Sequence, residues 1–345
     1  MKILITGNEG YIGARLAPWL HDRGHQVFGL DTALYRDGCL YLDSIGMPFA
    51  PPTLFKDLRN VTPADFAGAD AVIHLAELSN DPLGENRPEI TYRINHEGSV
   101  GIANAAREAG VRRFVYASSC SVYGLGTGVF LDETSPTNPQ TAYARCKVLV
   151  ERDLAALADD DFSVVFLRNA TAYGPSPRMR FDIVLNDLCA LAYTRKKIAM
   201  VSDGSPWRPI VHVEDICEAM RCAVEAPADA VNGGIFNVGR TSENYRVREI
   251  AAVVAEAFPG CEITAGPASA DNRSYRVCFE KIESCLPGFS ARWTASAGAR
   301  ELARLFERIE FSTAMYEFRA FTRLKQLKYL QRTGQLDEDL FWRAR

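Results

Sequence analysis

MKILITGNEGYIG, residues 1–13, sets the architecture. The apolar run Ile3–Ile5 is broken by Gly7, Gly10 and Gly13, and a helical pattern follows over 11–23. A strand, a tight turn and a helix N-terminus in that order make an anion site. The glycines let a diphosphate approach backbone N–H groups where the helix dipole favours negative charge. A glycine triplet alone is weak evidence, and the motif also demands an acidic residue at the end of the next strand. VFGLD supplies it as Asp31, eighteen residues past Gly13. A carboxylate there accepts hydrogen bonds from an adenosine ribose and repels a 2′-phosphate, which predicts an NAD rather than an NADP site, lined by Gly7, Gly10, Tyr11, Ile12, Gly13 and Asp31. Asp57 and Leu58 in KDLRN, after a third short strand, are placed to meet the adenine, although Asp57 reads equally well as an exposed loop acid.

Outward from this unit, KILIT, QVFGL, AVIHLA, RFVYAS and SVVFLR alternate with helical patterns over 11–23, 89–109 and 141–157. That rhythm predicts an α/β fold, a Rossmann-type doubly wound parallel sheet with helices on both faces. After Gly174 the character changes. A helical pattern at 181–195 precedes PIVHV and GIFNVG, two short strands flanking a helix at 214–226, and from about 240 the chain is helix-rich and irregular. The expected division is an NAD-binding domain over 1–174, to which 207–239 returns, and a smaller substrate-binding lobe from 175–206 and 240–345. In the tail, Phe318, Phe321, Leu324 and Leu327 recur every three residues, which suits an amphipathic helix packed on its own protein or on a second subunit.

Composition removes several function classes. The 39 basic and 43 acidic side chains leave a net charge of −4, without the basic excess that phosphate-backbone binding rests on, so no nucleic-acid partner is expected. No stretch approaches the ~18 uninterrupted apolar residues of a membrane span, so no membrane partner is expected either. The opening apolar run is too soon broken by Gly7 for a secretory signal. Nine cysteines without a CxxC pair read as reduced thiols in a cytoplasm. His21 and His25 stand four apart, but Gly24 points to a helix end and no third ligand follows, so no metal is expected.

Tyr143 and Lys147, in TAYARCK, are four apart in a strong helical pattern and project from one face. Free tyrosine, with a pKa near ~10, is a poor base at pH 7. Lowering that pKa by ~3 units takes ~4 kcal/mol, which a neighbouring ammonium plus an oxidised nicotinamide can supply in a partly desolvated site. A hydroxyl is also needed to hold the reacting oxygen, and Ser118, Ser119 and Ser121 stand at the end of a neighbouring strand.

GNEGYIG, HLAELSND, NHEGS, SSCSVYG, YARCK, LRNATAYGP and WRPIVHVEDI together span at least residues 1–220. Through them the chain resembles the extended short-chain dehydrogenase/reductase family, in its NAD-dependent nucleotide-sugar epimerase and dehydratase branch. The resemblance implies a Ser119-Tyr143-Lys147 triad, Leu75 and Ala76 on the nicotinamide side, and Asn95 bracing the active-site helix. It places Ser79, Cys120, Ser121, Asn169, Thr171 and Asn186 along a nucleotide-sugar substrate. Arg208 of WRP would grip the diphosphate, with Arg273 or Arg276 of DNRSYR as a second clamp, because a planar guanidinium donates paired hydrogen bonds to phosphate oxygens. A homodimer is the expected state.

Two positions depart from that pattern. Thr171 stands where many relatives carry Asn, and Glu77 follows HLA where a small residue is common, which predicts an unusually polar nicotinamide pocket. The resemblance implies oxidation of a sugar hydroxyl, and the fate of the ketone decides the reaction. Dehydratases of the branch place Asp then Glu before VYG, where this chain has Cys120 and Ser121, so elimination lacks its proton carriers. The expected reaction is C4 epimerisation. The alternatives are a ketosugar reductase, a C3 or C5 epimerase that uses Cys120, and a cofactor-binding redox sensor without turnover.

Overall fold

In β1 (Lys2–Thr6), alternate side chains serve opposite faces: Ile3 and Ile5 enter one apolar core while Leu4 enters another. The computed structural model describes residues 1–41, 49–79, 87–267 and 273–343. Seven strands form the main sheet: β1, β2 (Gln26–Asp31), β3 (Thr53–Phe55), β4 (Ala71–His74), β5 (Arg113–Ser119), β6 (Ser163–Asn169) and β7 (Ile235–Val238). All pairings are parallel, in the order β7-β6-β5-β4-β1-β2-β3. Every residue of β6 is buried, as expected of a strand covered on both faces. Strand order reverses between β1 and β4, and the crevice at their carboxyl ends is where a doubly wound sheet takes its ligand.

The helices that frame this crevice are α1 (Gly13–His21), α2 (Ala142–Ala155), α3 (Val184–Arg195), α4 (Val213–Glu225), α5 (Val247–Ala257), α6 (Ala295–Arg308) and α7 (Arg323–Arg332). Thr141 caps α2, its hydroxyl accepting from Ala144 N at 3.2 Å, and so fixes where Tyr143 and Lys147 begin their helix. The helical pattern expected over 89–109 is three consecutive pieces, with a π-helical stretch at Tyr92–Gly98 between Pro88–Thr91 and Ser99–Glu108.

Helices α3, α5 and α6 pack around Leu188, Ile250, Leu302 and Phe306 in a separate core. PIVHV belongs to the strand Trp207–His212, which pairs with Thr171–Tyr173 and Asn244–Arg246 rather than with the main sheet. GIFNVG supplies β7, the edge beside β6. A parallel pair with no counterpart in the sequence expectation joins Leu125–Leu131 to Ser274–Val277.

Residues 319–343, expected in the substrate lobe, instead lie across the main sheet's cofactor side. Leu327, Leu330, Leu336 and Leu340 are buried in one core with Leu30, Leu34 and Leu58. Trp342 Nε1 donates to Thr32 O at 2.6 Å, and Gln326 Nε2 donates to Leu34 O at 3.2 Å. Arg59 donates to Asp339 O at 2.7 Å, with its guanidinium 3.5 Å above the Phe341 ring. The amphipathic tail thus packs on its own protein. No helix among the described residues is long and apolar enough to cross a membrane.

Candidate active site

A continuous cleft of about 800 Å³ runs from Asp31 and Leu340, past Ser119, Tyr143 and Lys147, to Arg208 and Arg273. Its floor is the glycine-rich turn. Gly7 adopts φ +77°, and a Cβ on Gly13 would come within 2.2 Å of Gly7 O, so neither position tolerates a side chain. α1 starts behind this turn with no side-chain cap; Ile12 and Gly13 line the cleft, while the N–H groups of Ala14 and Arg15 donate to Gly10 O and Ile12 O at 3.0 Å. The turn is held from outside. Tyr11 OH donates to Gly174 O at 2.6 Å, Ser176 Oγ donates to Tyr11 O at 2.7 Å, and Arg178 pairs with Glu9.

At the far end of β2, Asp31 accepts from Ala33 N at 2.6 Å and Glu9 N at 3.0 Å, and burial pushes its carboxyl up to about 6. Asp57 and Leu58 also line the cleft, but both Asp57 oxygens are taken by Arg59, at 2.8 and 2.7 Å. Asp57 therefore anchors Arg59 and, through it, the tail. Leu75, Ala76 and Ser79 line the opposite wall, where Ser79 Oγ accepts from Arg180 at 3.1 Å.

The middle of the cleft is built from β5, α2 and the loop after β4. Lys147 Nζ donates to Ala117 O, lies 5.3 Å from the Tyr143 ring centre and pairs with Glu77 Oε2 at 2.7 Å. Burial disfavours the ammonium, but Glu77, Tyr143 and Glu151 reverse this and hold Lys147 above its ordinary pKa. Glu77 Oε1 accepts from Tyr116 OH at 2.6 Å. Behind it, His74 joins Thr6 Oγ1 at 2.6 Å and Ser99 Oγ at 2.8 Å, with Ser99 3.4 Å from Glu77. Burial pulls His74 down to about 3, so the imidazole is a neutral link. Asn95, expected to brace the active-site helix, exchanges both amide hydrogen bonds with the backbone of Leu78, although its π-helical stretch does pack on α2.

Ser119 lines the cleft and its Oγ accepts from Ser121 N at 3.1 Å, whereas Ser118 turns back to Glu151. Asn169 Oδ1 and Ser121 Oγ are buried with no hydrogen-bond partner among the described residues, and both residues line the cleft with Thr171. Cys120 does not. Its thiol is 1% exposed in the core beside Val122 and Leu167, donates to Arg168 O at 3.1 Å, and is pushed well above its ordinary pKa by burial. Asn186 is likewise withdrawn, with its amide spent on Gly174 N, Tyr11 OH and Arg180 O.

Elsewhere on the cleft wall, Arg208 Nη1 donates to Trp207 O at 2.9 Å and to Arg273 O, and both arginines line the cleft. Arg276 points elsewhere, to Gly128 O and the rings of Phe130 and Trp207. The ends of two motifs, Asn80–Asp81 and Asp271–Asn272, lie outside the described residues. Sequence reasoning missed Arg59, Arg180 and Arg323, and it noted Glu77 without its partner. No metal-holding cluster occurs among the described residues.

The family model for the NAD dependent epimerase/dehydratase family matches residues 3–239. The chain belongs to that family. NAD is the cofactor that goes with it, and the residues of this NAD-dependent epimerase/dehydratase cleft fit NAD: the glycine-rich turn leading into α1 for phosphates, Asp31 for a ribose, and Lys147 with Tyr143 on the α2 wall of the same cleft. A UDP-glucose 4-epimerase of Mycolicibacterium smegmatis is 32% identical over 273 residues, covering 74% of this chain and 82% of that protein. A UDP-N-acetyl-alpha-D-glucosaminuronate decarboxylase of Bacillus cytotoxicus is 28% identical over 258 residues, covering 72% and 78%. The structure of MoeE5 in complex with UDP-glucuronic acid and NAD superposes with a TM-score of 0.77 at 27% identity, over 89% of this chain and 99% of that one.

Proposed function

We propose that this enzyme inverts C4 of a nucleotide-activated sugar through a transient 4-keto sugar, with NAD recycled rather than consumed. One observation carries the choice within the family. Where elimination would need an acid and a base, the chain has a thiol shut in the core, Cys120, and a hydroxyl, Ser121. Neither carries a proton to or from sugar carbon at neutral pH. Tyr143 takes the proton of the C4 hydroxyl and later returns it, Ser119 donates to the same oxygen, and Lys147 keeps positive charge beside the tyrosine. NAD, when bound, supplies the hydride acceptor and donor.

Inversion needs the ketone to turn over within the cleft while the nucleotide stays fixed. Arg208 and Arg273 at one end hold the diphosphate, and the open acceptor of Asn169 and the hydroxyl of Ser121 give the turning sugar new partners. The test is to incubate the protein with UDP-, GDP-, CDP-, ADP- and dTDP-sugars and follow stereochemistry by NMR and absorbance at 340 nm. A C4 epimer should form from one of them with no net change at 340 nm. Stoichiometric consumption of added NADH would establish a reductase, and loss of water or carbon dioxide would establish a dehydratase or decarboxylase.

A further inference from the structure

The tail contributes more than packing. Arg323, the first residue of α7, is 3% exposed and lines the cleft within a strap that lies beyond the residues matched by the family model. Its guanidinium stacks 4.0 Å over the Tyr35 ring, and it makes no side-chain hydrogen bond or ion pair among the described residues. Arg180, also on the cleft, is by contrast satisfied by a fork onto Asp182, at 2.8 and 3.2 Å. Burial and the like charge of Arg180 pull Arg323 down to about 10, with Tyr35, Asp182 and Asp31 offsetting part of this without an ion pair to the guanidinium. A buried guanidinium that meets no carboxylate in a direct pair is suited to an anionic ligand that supplies the contact.

We propose that Arg323 binds the diphosphate of the dinucleotide from the side opposite the glycine-rich turn, making the strap part of the cofactor site. Arginine suits the task through paired hydrogen bonds to phosphate oxygens. Asp31, whose charge is felt at Arg323, disfavours a 2′-phosphate at that end. The proposal rests on the NAD site and not on the sugar chemistry, so the epimerase reading can fail without touching it.

The experiment measures binding rather than turnover. Cofactor-stripped wild type, Arg323→Met and Arg323→Lys are titrated calorimetrically with NAD, NADP, ADP-ribose and adenosine, with circular dichroism and melting curves confirming the fold. Arg323→Met should weaken NAD and ADP-ribose by roughly ten- to a hundredfold, as for a lost hydrogen bond to a charged group. Arg323→Lys should recover part of this, and adenosine should bind unchanged. NAD affinity within threefold of wild type in a folded Arg323→Met overturns the proposal, as does an equal loss for adenosine. A loss confined to NADP would move the contact to the 2′-phosphate and also overturn it. If the Met variant does not fold, hydrogen exchange on the wild type decides: 319–332 should gain protection with NAD but not with adenosine, and equal protection by both ligands refutes the diphosphate contact.

Discussion

The ammonium of Lys147 and the carboxylate of Glu77 lie 2.7 Å apart with side chains only 5% and 3% exposed. The lysine beside the proposed proton acceptor thus carries its own counter-ion, and the field reaching Tyr143 is that of a pair. Glu77→Gln keeps one acceptor, for Lys147, and turns an amide NH2 towards the Tyr116 hydroxyl, which can accept; the negative charge is removed, so tyrosinate forms more readily. The rising limb of the pH–rate profile should move to lower pH by roughly half to one unit. A limb unchanged in the variant would mean that Glu77 does not tune the reaction. Glu77→Ala should instead destabilise the fold by about 3–5 kcal/mol, because it strands a buried ammonium.

Tyr143→Phe should reduce turnover at least about a hundredfold, the contribution typical of a positioned acid-base group. Protein of this variant should still purify with NAD, since the ring remains beside Lys147. Retention of more than about a tenth of the activity would remove Tyr143 from the mechanism.

Cys120 faces the core, so Cys120→Ala should keep activity within a few-fold while costing about 1–2 kcal/mol of stability through the small cavity it leaves. Ser119→Ala should lose much more activity at little cost in stability. Turnover in D₂O should leave the sugar's carbons unlabelled, and deuterium at C3 or C5 with a collapse of Cys120→Ala would transfer the chemistry to carbon acids.

His74 gives stability a pH dependence. Its buried ring refuses a proton until about pH 3, whereas the unfolded chain accepts one near ~6.5, so its contribution is present above ~6.5 and lost as pH falls. Asp31 and Asp187, both pushed up to about 6, act in the opposite sense between ~4 and 6. The informative quantity is therefore the difference between wild type and His74→Gln. The variant should lose ~3 kcal/mol less stability between pH 7 and 4, as read from denaturant midpoints. Parallel curves for the two proteins would place the acid sensitivity elsewhere.

Local signals carried most of the architecture into the sequence. GNEGYIG, VFGLD and the alternation of β-rich and helical runs depend on contacts a few residues long, and the observed seven-stranded parallel sheet follows from them. Tyr143 and Lys147 were legible because helical spacing alone puts them on one face. Glu77 was visible as an oddity, but its pairing with Lys147 spans 70 positions and has no local signature. Cys120 looked available because period-2 reasoning stops at the end of β5, where the 3₁₀ turn Cys120–Tyr123 rotates the thiol inward. Arg59, Arg180 and Arg323 resembled solvated charges, since nothing short-range distinguishes a buried arginine from an exposed one.

The hydrogen bond from Trp342 to Thr32 joins residues 310 positions apart. At the usual ~5–20 residues per second of synthesis, the glycine-rich turn precedes Arg323 and Leu340 by roughly 15–70 s. During that interval a nascent chain presents the floor of its dinucleotide cleft without the wall that the strap provides. Cofactor capture in its final form is therefore a late event in the life of each molecule, after nearly all of the described chain has been made.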